Sequence, residues 1–269
     1  MYSLNTAAKK TAKAALKNNY TGGVVAASVF VFMYFACSIL CSLIGMFAGE
    51  IFLLAAMCLF AVFIMIPLFL GFVYWSVKLI FASDNEPVLI FKYFTSIKNY
   101  KRALAFSLPF TGIALFSGVV LFIPYFIVEA LASGKLFAFL NMQIPIWAPG
   151  LSVVANGLEA AALFLLAFIM LKYYLAPFLM AADENMEASE ALHMSRVISR
   201  RSKGEFFLLL LGLIGYIIAC LFVLPTVFIL PYLFTAYAVH CRFTVTAYNI
   251  SIDNIKRPDI PSFNADISF

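Results

Sequence analysis

The sequence predicts an all-α polytopic membrane protein with six transmembrane helices, each hairpin preceded by a cytoplasmic amphipathic helix. Three observations carry that prediction. The chain is 64% hydrophobic and 12% charged, whereas soluble domains are about half apolar and a quarter charged. Several apolar runs reach the roughly 20 residues that a helix needs to cross the hydrocarbon core. A short basic segment followed by a pair of such runs recurs three times along the chain. The runs must be helical, because with no water in the bilayer every backbone N–H and C=O has to be bonded within its own segment.

The first basic segment carries Lys9, Lys13 and Lys17 at four-residue spacing opposite Leu4, Ala8, Ala12 and Ala15, which puts the charges on one helical stripe. The first span runs from Gly23 to Phe47 and holds no charge. It exceeds the 7 to 15 residues of a signal-peptide core, so it reads as a retained span. Ala48-Gly49-Glu50 leaves room only for a tight turn, after which the second span extends from Ile51 to Phe81 as an antiparallel neighbour. Pro87 follows Asp84, Asn85 and Glu86 and suits a first helical position. Beyond it Val88, Phe91 and Phe94 oppose Lys92 and Asn99 in the second amphipathic segment. The third and fourth spans cover Ala103 to Ile127 and Leu151 to Ala181. The third amphipathic segment runs from Glu187 and Glu190 to Arg196, Arg200 and Arg201, an order that suits the helix dipole. Spans five and six cover Phe206 to Leu224 and Val227 to Tyr248, with a short junction near Pro225. The second and fourth runs exceed the bilayer requirement and should tilt or emerge, and all three basic segments should lie along the inner interface.

Leu16-Lys17-Asn18-Asn19-Tyr20, Ile97-Lys98-Asn99-Tyr100 and Ile198-Ser199-Arg200-Arg201 each precede a span, and the second helix of each pair exits from a tyrosine to an aspartate: Tyr74 to Asp84, Tyr174 to Asp183, Tyr237 to Asp253. Parallel repetition of this kind implies a pseudo-threefold axis along the membrane normal. It divides a single membrane domain, 1–249, into units 1–84, 85–184 and 185–249, followed by a short polar tail, 250–269. The plainer reading is that alternating basic loops and apolar runs are common to six-span proteins. Orientation follows from Lys and Arg, which stay on the cytoplasmic side. With the protein in the bacterial cytoplasmic membrane and both termini on the cytoplasmic side, every basic cluster faces the cytoplasm and only Lys135 falls clearly outside.

A set of residues also resembles a known family. It comprises Ala12 and Ala15 through Tyr20, Gly71 to Tyr74, and Phe91, Phe94 and Tyr100. It continues with Tyr173-Tyr174-Leu175-Ala176-Pro177, Asp183, Glu190-Ala191-Leu192, Ser195-Arg196, Gly204, Gly215-Tyr216 and Pro231-Tyr232. The pattern is similar to bacterial polytopic membrane proteins grouped as domain of unknown function number 975, related to the membrane domain fused to some glycerophosphodiester phosphodiesterases. The resemblance spans nearly the whole chain and implies a fold rather than an active site. The chain has no phosphodiesterase domain, and its Lys135 to Pro149 loop has no counterpart in the pattern.

Candidate chemistry is sparse. Glu159, with Asn156 three residues earlier, lies in the fourth span, and ionisable groups at membrane depth are costly and default to functional candidates. The alternative is that Glu159 sits near enough to the outer interface to reach water or Lys135. Lys172 is too far along the same helix to pair with it, and its long stem suits snorkelling to the inner surface. Pro67, Pro109, Pro124 and Pro177 should interrupt spans two, three and four. Five cysteines and two histidines supply neither a disulfide framework nor a metal-ligand spacing, and no nucleophile elbow or phosphate loop occurs. No enzymatic activity and no cofactor are expected. Lys13, Lys17, Lys98, Arg102, Arg200 and Arg201 are the expected contacts to anionic lipid of the inner leaflet, and nucleic acid is not an expected partner. Two functions fit: accommodation or movement of lipid or another amphipathic molecule, in transport or protection, or a structural or assembly subunit that packs against a partner membrane protein.

Overall fold

The computed structural model describes residues 4–82, 84–134, 139 and 150–255. Lys135, almost all of the 135–149 loop and the tail from residue 256 lie outside the described residues. Among the described residues the secondary structure is helical throughout, with no strand. The order is α1 (Leu4–Leu16), α2 (Tyr20–Ala48), α3 (Glu50–Phe60), a π-helical turn (Ala61–Met65), α4 (Ile66–Ala82), a 3-10 helix (Pro87–Phe94) and α5 (Ile97–Ala132). Then follow α6 (Leu151–Met170), a 3-10 turn (Leu171–Tyr173), α7 (Ala176–Ala182), α8 (Ala188–Gly212), α9 (Ile214–Ala219) and α10 (Val223–Ile255). Among the described residues five helical stretches are long and apolar enough to cross a membrane: Tyr20–Ala48, Glu50–Ala82, Ile97–Ala132, Leu151–Ala182 and Val223–Ile250.

The run expected as the fifth span, Phe206 to Leu224, is divided. Leu213 leaves helical geometry at φ −109° and ψ 3°, α9 lasts only six residues, and α10 starts at Val223, with Pro225 in its first turn. The prolines behave unequally. Pro109 and Pro124 sit inside an unbroken α5, Pro67 follows the π turn, and Pro177 opens α7 just after the 3-10 break, where its missing N–H costs least. The second amphipathic segment is a 3-10 helix with Pro87 in its first turn. The basic segments also dock on protein: α1 packs against α8 and α10, the 3-10 helix against α4, and α8 against α7.

Contacts divide the chain into two compact bodies, one formed by the residues up to Leu108 and from Tyr173 on, the other by Pro109–Lys172. The core of the first is Trp75, Phe72, Leu68 and Leu79 of α4 with Ala26 and Ala27 of α2, Leu16 and Ile90. Phe234 of α10 meets Phe72 edge-on at 4.4 Å between ring centroids, and Phe30 of α2 meets it at 5.9 Å. Edge-to-face pairs of this kind add about 1 kcal/mol each beyond the area they bury. Small residues set the helix spacing: a Cβ on Gly23 would lie 2.8 Å from the Pro231 ring and 2.9 Å from Trp75, and one on Gly71 would overlap the Ile90 carbonyl. In the second body Ala155 and Ala162 of α6 are buried, and Gly118 of α5 faces Leu166. The turn between α2 and α3 is made by Gly49 at φ +96°, a conformation in which side chains other than glycine's are strained.

The close approach at Gly71 yields a test. Gly71→Ala sets a methyl group against backbone and is expected to cost about 3 kcal/mol or more, read as a lower melting temperature of the detergent-purified protein. Gly157→Ala on α6, where nothing lies within 4 Å of the new methyl, should melt like the parent.

Candidate functional site

The face of α1 that carries Ala8, Ala12 and Leu16 is buried, which turns the opposite, lysine-bearing face outward. Two bonds hold the helix in register with α8: Asn5 Nδ2 donates to the Glu205 carbonyl at 3.1 Å, and Lys9 Nζ to the Gly212 carbonyl at 2.7 Å. The carbonyl taken by Lys9 lies at the break between α8 and α9. Where α1 passes into α2, the Tyr20 hydroxyl donates to the Phe228 carbonyl of α10 at 2.7 Å. These anchors enclose an open groove of about 890 Å³ lined by Lys10, Lys13, Lys17, Tyr20, Tyr216 and Tyr232, with Leu16, Phe228 and Ile229 supplying apolar wall. That volume lies within the usual range for a small-molecule site. The Tyr216 and Tyr232 rings are 5.3 Å apart.

Lys10, Lys13 and Lys17 are spaced three and four residues apart, so one helical stripe presents three cations to the same opening. A groove with cations on one wall, tyrosines around it and an apolar remainder offers an anion and an aliphatic tail separate places. It has the chemistry to hold an amphiphile with a negative head.

A second polar cluster ties the first body together. Tyr74 Oη donates to Glu184 Oε1 at 2.7 Å, and Lys92 Nζ bonds the same carboxylate at 3.1 and 3.2 Å. Lys92 also lies 5.1 Å from the Tyr74 ring centre. The Tyr74 bond is the main reason the Glu184 carboxyl lies below its ordinary value of 4.5, partial burial opposing it and Lys92 reinforcing it. Next to it the Arg102 guanidinium bonds the carbonyls of Met180, Asp183 and Met186, which supplies donors and positive charge to the C-terminal end of α7. Tyr93 is buried there, and burial pushes its hydroxyl up to about 12 despite the lowering effect of Arg102.

His240 of α10 is fully buried. Its ring centre lies 5.6 Å from that of Phe206 and 6.2 Å from that of Tyr174, which themselves stack at 4.1 Å. The Tyr174 hydroxyl meets Ser202 Oγ at 2.9 Å, and Tyr237 donates to the Tyr174 carbonyl. Tyr74, Tyr174 and Tyr237, the three tyrosines noted near the helix exits in the sequence, therefore all serve as fasteners between segments.

Of the expected anionic-lipid contacts, Lys13 and Lys17 line the groove, Lys98, Arg200 and Arg201 are exposed elsewhere, and Arg102 is engaged by backbone. Asn156 is exposed and Glu159 half-buried on α6, with Lys172 exposed in the 3-10 turn that follows. The groove's tyrosines were present in the sequence as the Gly215-Tyr216 and Pro231-Tyr232 pairs, but their convergence on α1 depends on contacts between distant segments.

The described residues are all-helical and include five helices long and apolar enough to cross a bilayer, which defines the class: this is a multi-pass membrane protein. It belongs to the family described as protein of unknown function (DUF975), whose model matches residues 1–245. No curated protein and no solved structure matches the chain.

The Glu184 cluster sets a pH test. Because the folded state favours the ionised carboxylate, its stabilisation is complete above the unfolded value near 4.5 and is lost as pH falls through the lower folded value. Melting temperatures measured from about pH 7 to about pH 3 should show Glu184→Gln below the parent at neutral pH and converging with it in acid. A constant gap across the series would contradict the assignment.

Proposed function

We propose that this is a non-enzymatic protein of the bacterial cytoplasmic membrane that accommodates lipid or another amphipathic molecule, preferring those with an anionic head, and acts in transport or protection. The observation that carries the proposal is the basic, tyrosine-lined groove between α1, α9 and α10. A lysine near an anionic headgroup contributes about 1 kcal/mol, and tyrosines suit the boundary between headgroup and acyl chain because one end of the ring is apolar and the other wet. The remaining wall is aliphatic and aromatic, as a lipid tail requires.

We retain six crossings with both termini cytoplasmic as part of this proposal. The distribution of Lys and Arg demands an even number, and the broken run from Phe206 to Leu224 supplies the sixth. Interrupted helices persist at membrane depth where other groups satisfy the freed carbonyls, as Lys9 does at Gly212, and Thr226 at Cys220 and Phe222. The threefold repeat is likewise a proposal, supported by the parallel use of Tyr74, Tyr174 and Tyr237. Kinship to the membrane domain of some glycerophosphodiester phosphodiesterases belongs to the same reading.

Native mass spectrometry of protein taken from mixed vesicles tests the function. Anionic phosphatidylglycerol should remain bound in preference to phosphatidylcholine, and Lys13→Glu with Lys17→Glu should reduce that preference by about 25-fold, at about fivefold per lysine. Equal retention of both lipids by parent and variant would refute the proposal. Recovery of a second protein chain without lipid would favour a structural or assembly subunit instead.

A further inference from the structure

We propose that the hairpin of α2 and α3 binds a soft monovalent metal ion, Cu(I) or Ag(I), through Cys37, Cys41, Met57 and Met65. These four side chains line one cavity of about 440 Å³, distinct from the basic groove. The chain has five cysteines and ten methionines among 269 residues. At that frequency a lining of this size would hold fewer than one sulfur-bearing residue, and this lining holds four. Cys37 and Cys41 are one helical turn apart, which places both on the same stripe of α2, and both are buried and free of disulfide. Cys58, next in sequence to Met57, does not line the cavity.

The backbone contributes as well. Met57, Ala61 and Met65 all reach the cavity from the opposite wall. In an unbroken α-helix, residues eight apart drift by about 80° around the axis, which would turn Met65 away. The π-helical turn Ala61–Met65 falls within this stretch and takes up part of the drift. Such turns are rare and concentrate at functional sites.

Thiolate and thioether sulfur favour Cu(I) and its heavier relatives, whereas zinc sites are built from Cys, His and carboxylate. An apolar hairpin favours an uncharged complex, since an unpaired buried charge is costly. One cysteine therefore loses its proton to water and forms the metal–sulfur bond, Cu⁺ + RSH → RS–Cu + H⁺. The second thiol and the thioethers coordinate as neutral donors, and the metal keeps its oxidation state.

The test uses the full-length protein in detergent under anaerobic reducing conditions, titrated with Cu(I) against a chromogenic chelator. Expected are one Cu(I) per chain, release of one proton, and copper–sulfur scattering by X-ray absorption. Cys37→Ser and Cys41→Ser should each weaken binding about tenfold or more. The size-conserving Met57→Leu, Met65→Leu pair should weaken binding in a protein that melts like the parent, and Cys58→Ser should leave it unchanged. Absence of Cu(I) retention, or retention that survives loss of both Cys37 and Cys41, overturns the assignment. The site stands apart from the lipid groove, so Lys13→Glu with Lys17→Glu should retain copper whatever its effect on lipid.

Discussion

Among the described residues, several helix interruptions leave backbone carbonyls without a helical partner, and the side-chain donors that meet them tie the fold together. Pro67 has no N–H for the Phe63 carbonyl one turn earlier, and the Tyr100 hydroxyl takes that carbonyl at 3.1 Å. The end of α7 is met by Arg102, the break after Gly212 by Lys9, and the turn before α10 by Thr226. Tyr20 and Tyr237 supply further hydroxyl donors to the carbonyls of Phe228 and Tyr174. An unmet buried carbonyl costs about 1 to 3 kcal/mol, so these side chains determine which segments lie together. They are also the means by which distant parts of the chain meet.

The groove is a consequence of the same arrangement. Lys9 and Asn5 bind α1 to α8 along one edge, and Tyr20 binds the α1–α2 junction to α10 on the other. The alanine face of α1 is thereby buried, and its remaining lysines are presented to a cavity whose other wall is Tyr216, Phe228 and Tyr232. One short basic helix thus contributes both a structural cation, Lys9, and the charged wall of the groove. The two roles separate by helical position, and four-residue spacing alone does not distinguish them.

Much of the helical framework was legible in the sequence because its signals are local. The apolar runs Gly23–Phe47, Ile51–Phe81, Ala103–Ile127 and Val227–Tyr248 fall within the longer helices Tyr20–Ala48, Glu50–Ala82, Ile97–Ala132 and Val223–Ile255, and Gly49 marked the first turn. The proline expectations divided for a physical reason. Pro177 stands where a helix starts and tolerates the missing donor, while α5 continues through Pro109 and Pro124. The division of Phe206 to Leu224 was hidden because its composition is that of a spanning helix throughout. The groove could be read only in half: the lysine stripe of α1 is periodic, whereas Tyr216 and Tyr232 join it through contacts across roughly two hundred residues. The charge of Arg102 is visible in sequence, whereas the carbonyls of Met180, Asp183 and Met186 that it bonds lie about eighty residues away.

The proposed occupant of the cavity beside α1 is an anionic lipid, its head at Lys13 and Lys17 and its aliphatic tail against Phe228 and Ile229. Electron cryo-microscopy of the full-length protein in nanodiscs rich in phosphatidylglycerol tests it most directly, if necessary with a bound antibody fragment to add mass. Lipid-shaped density is expected, with its phosphate within hydrogen-bonding distance of Lys13 or Lys17. A well-ordered α1 beside an empty groove, or one closed by side chains, would contradict it.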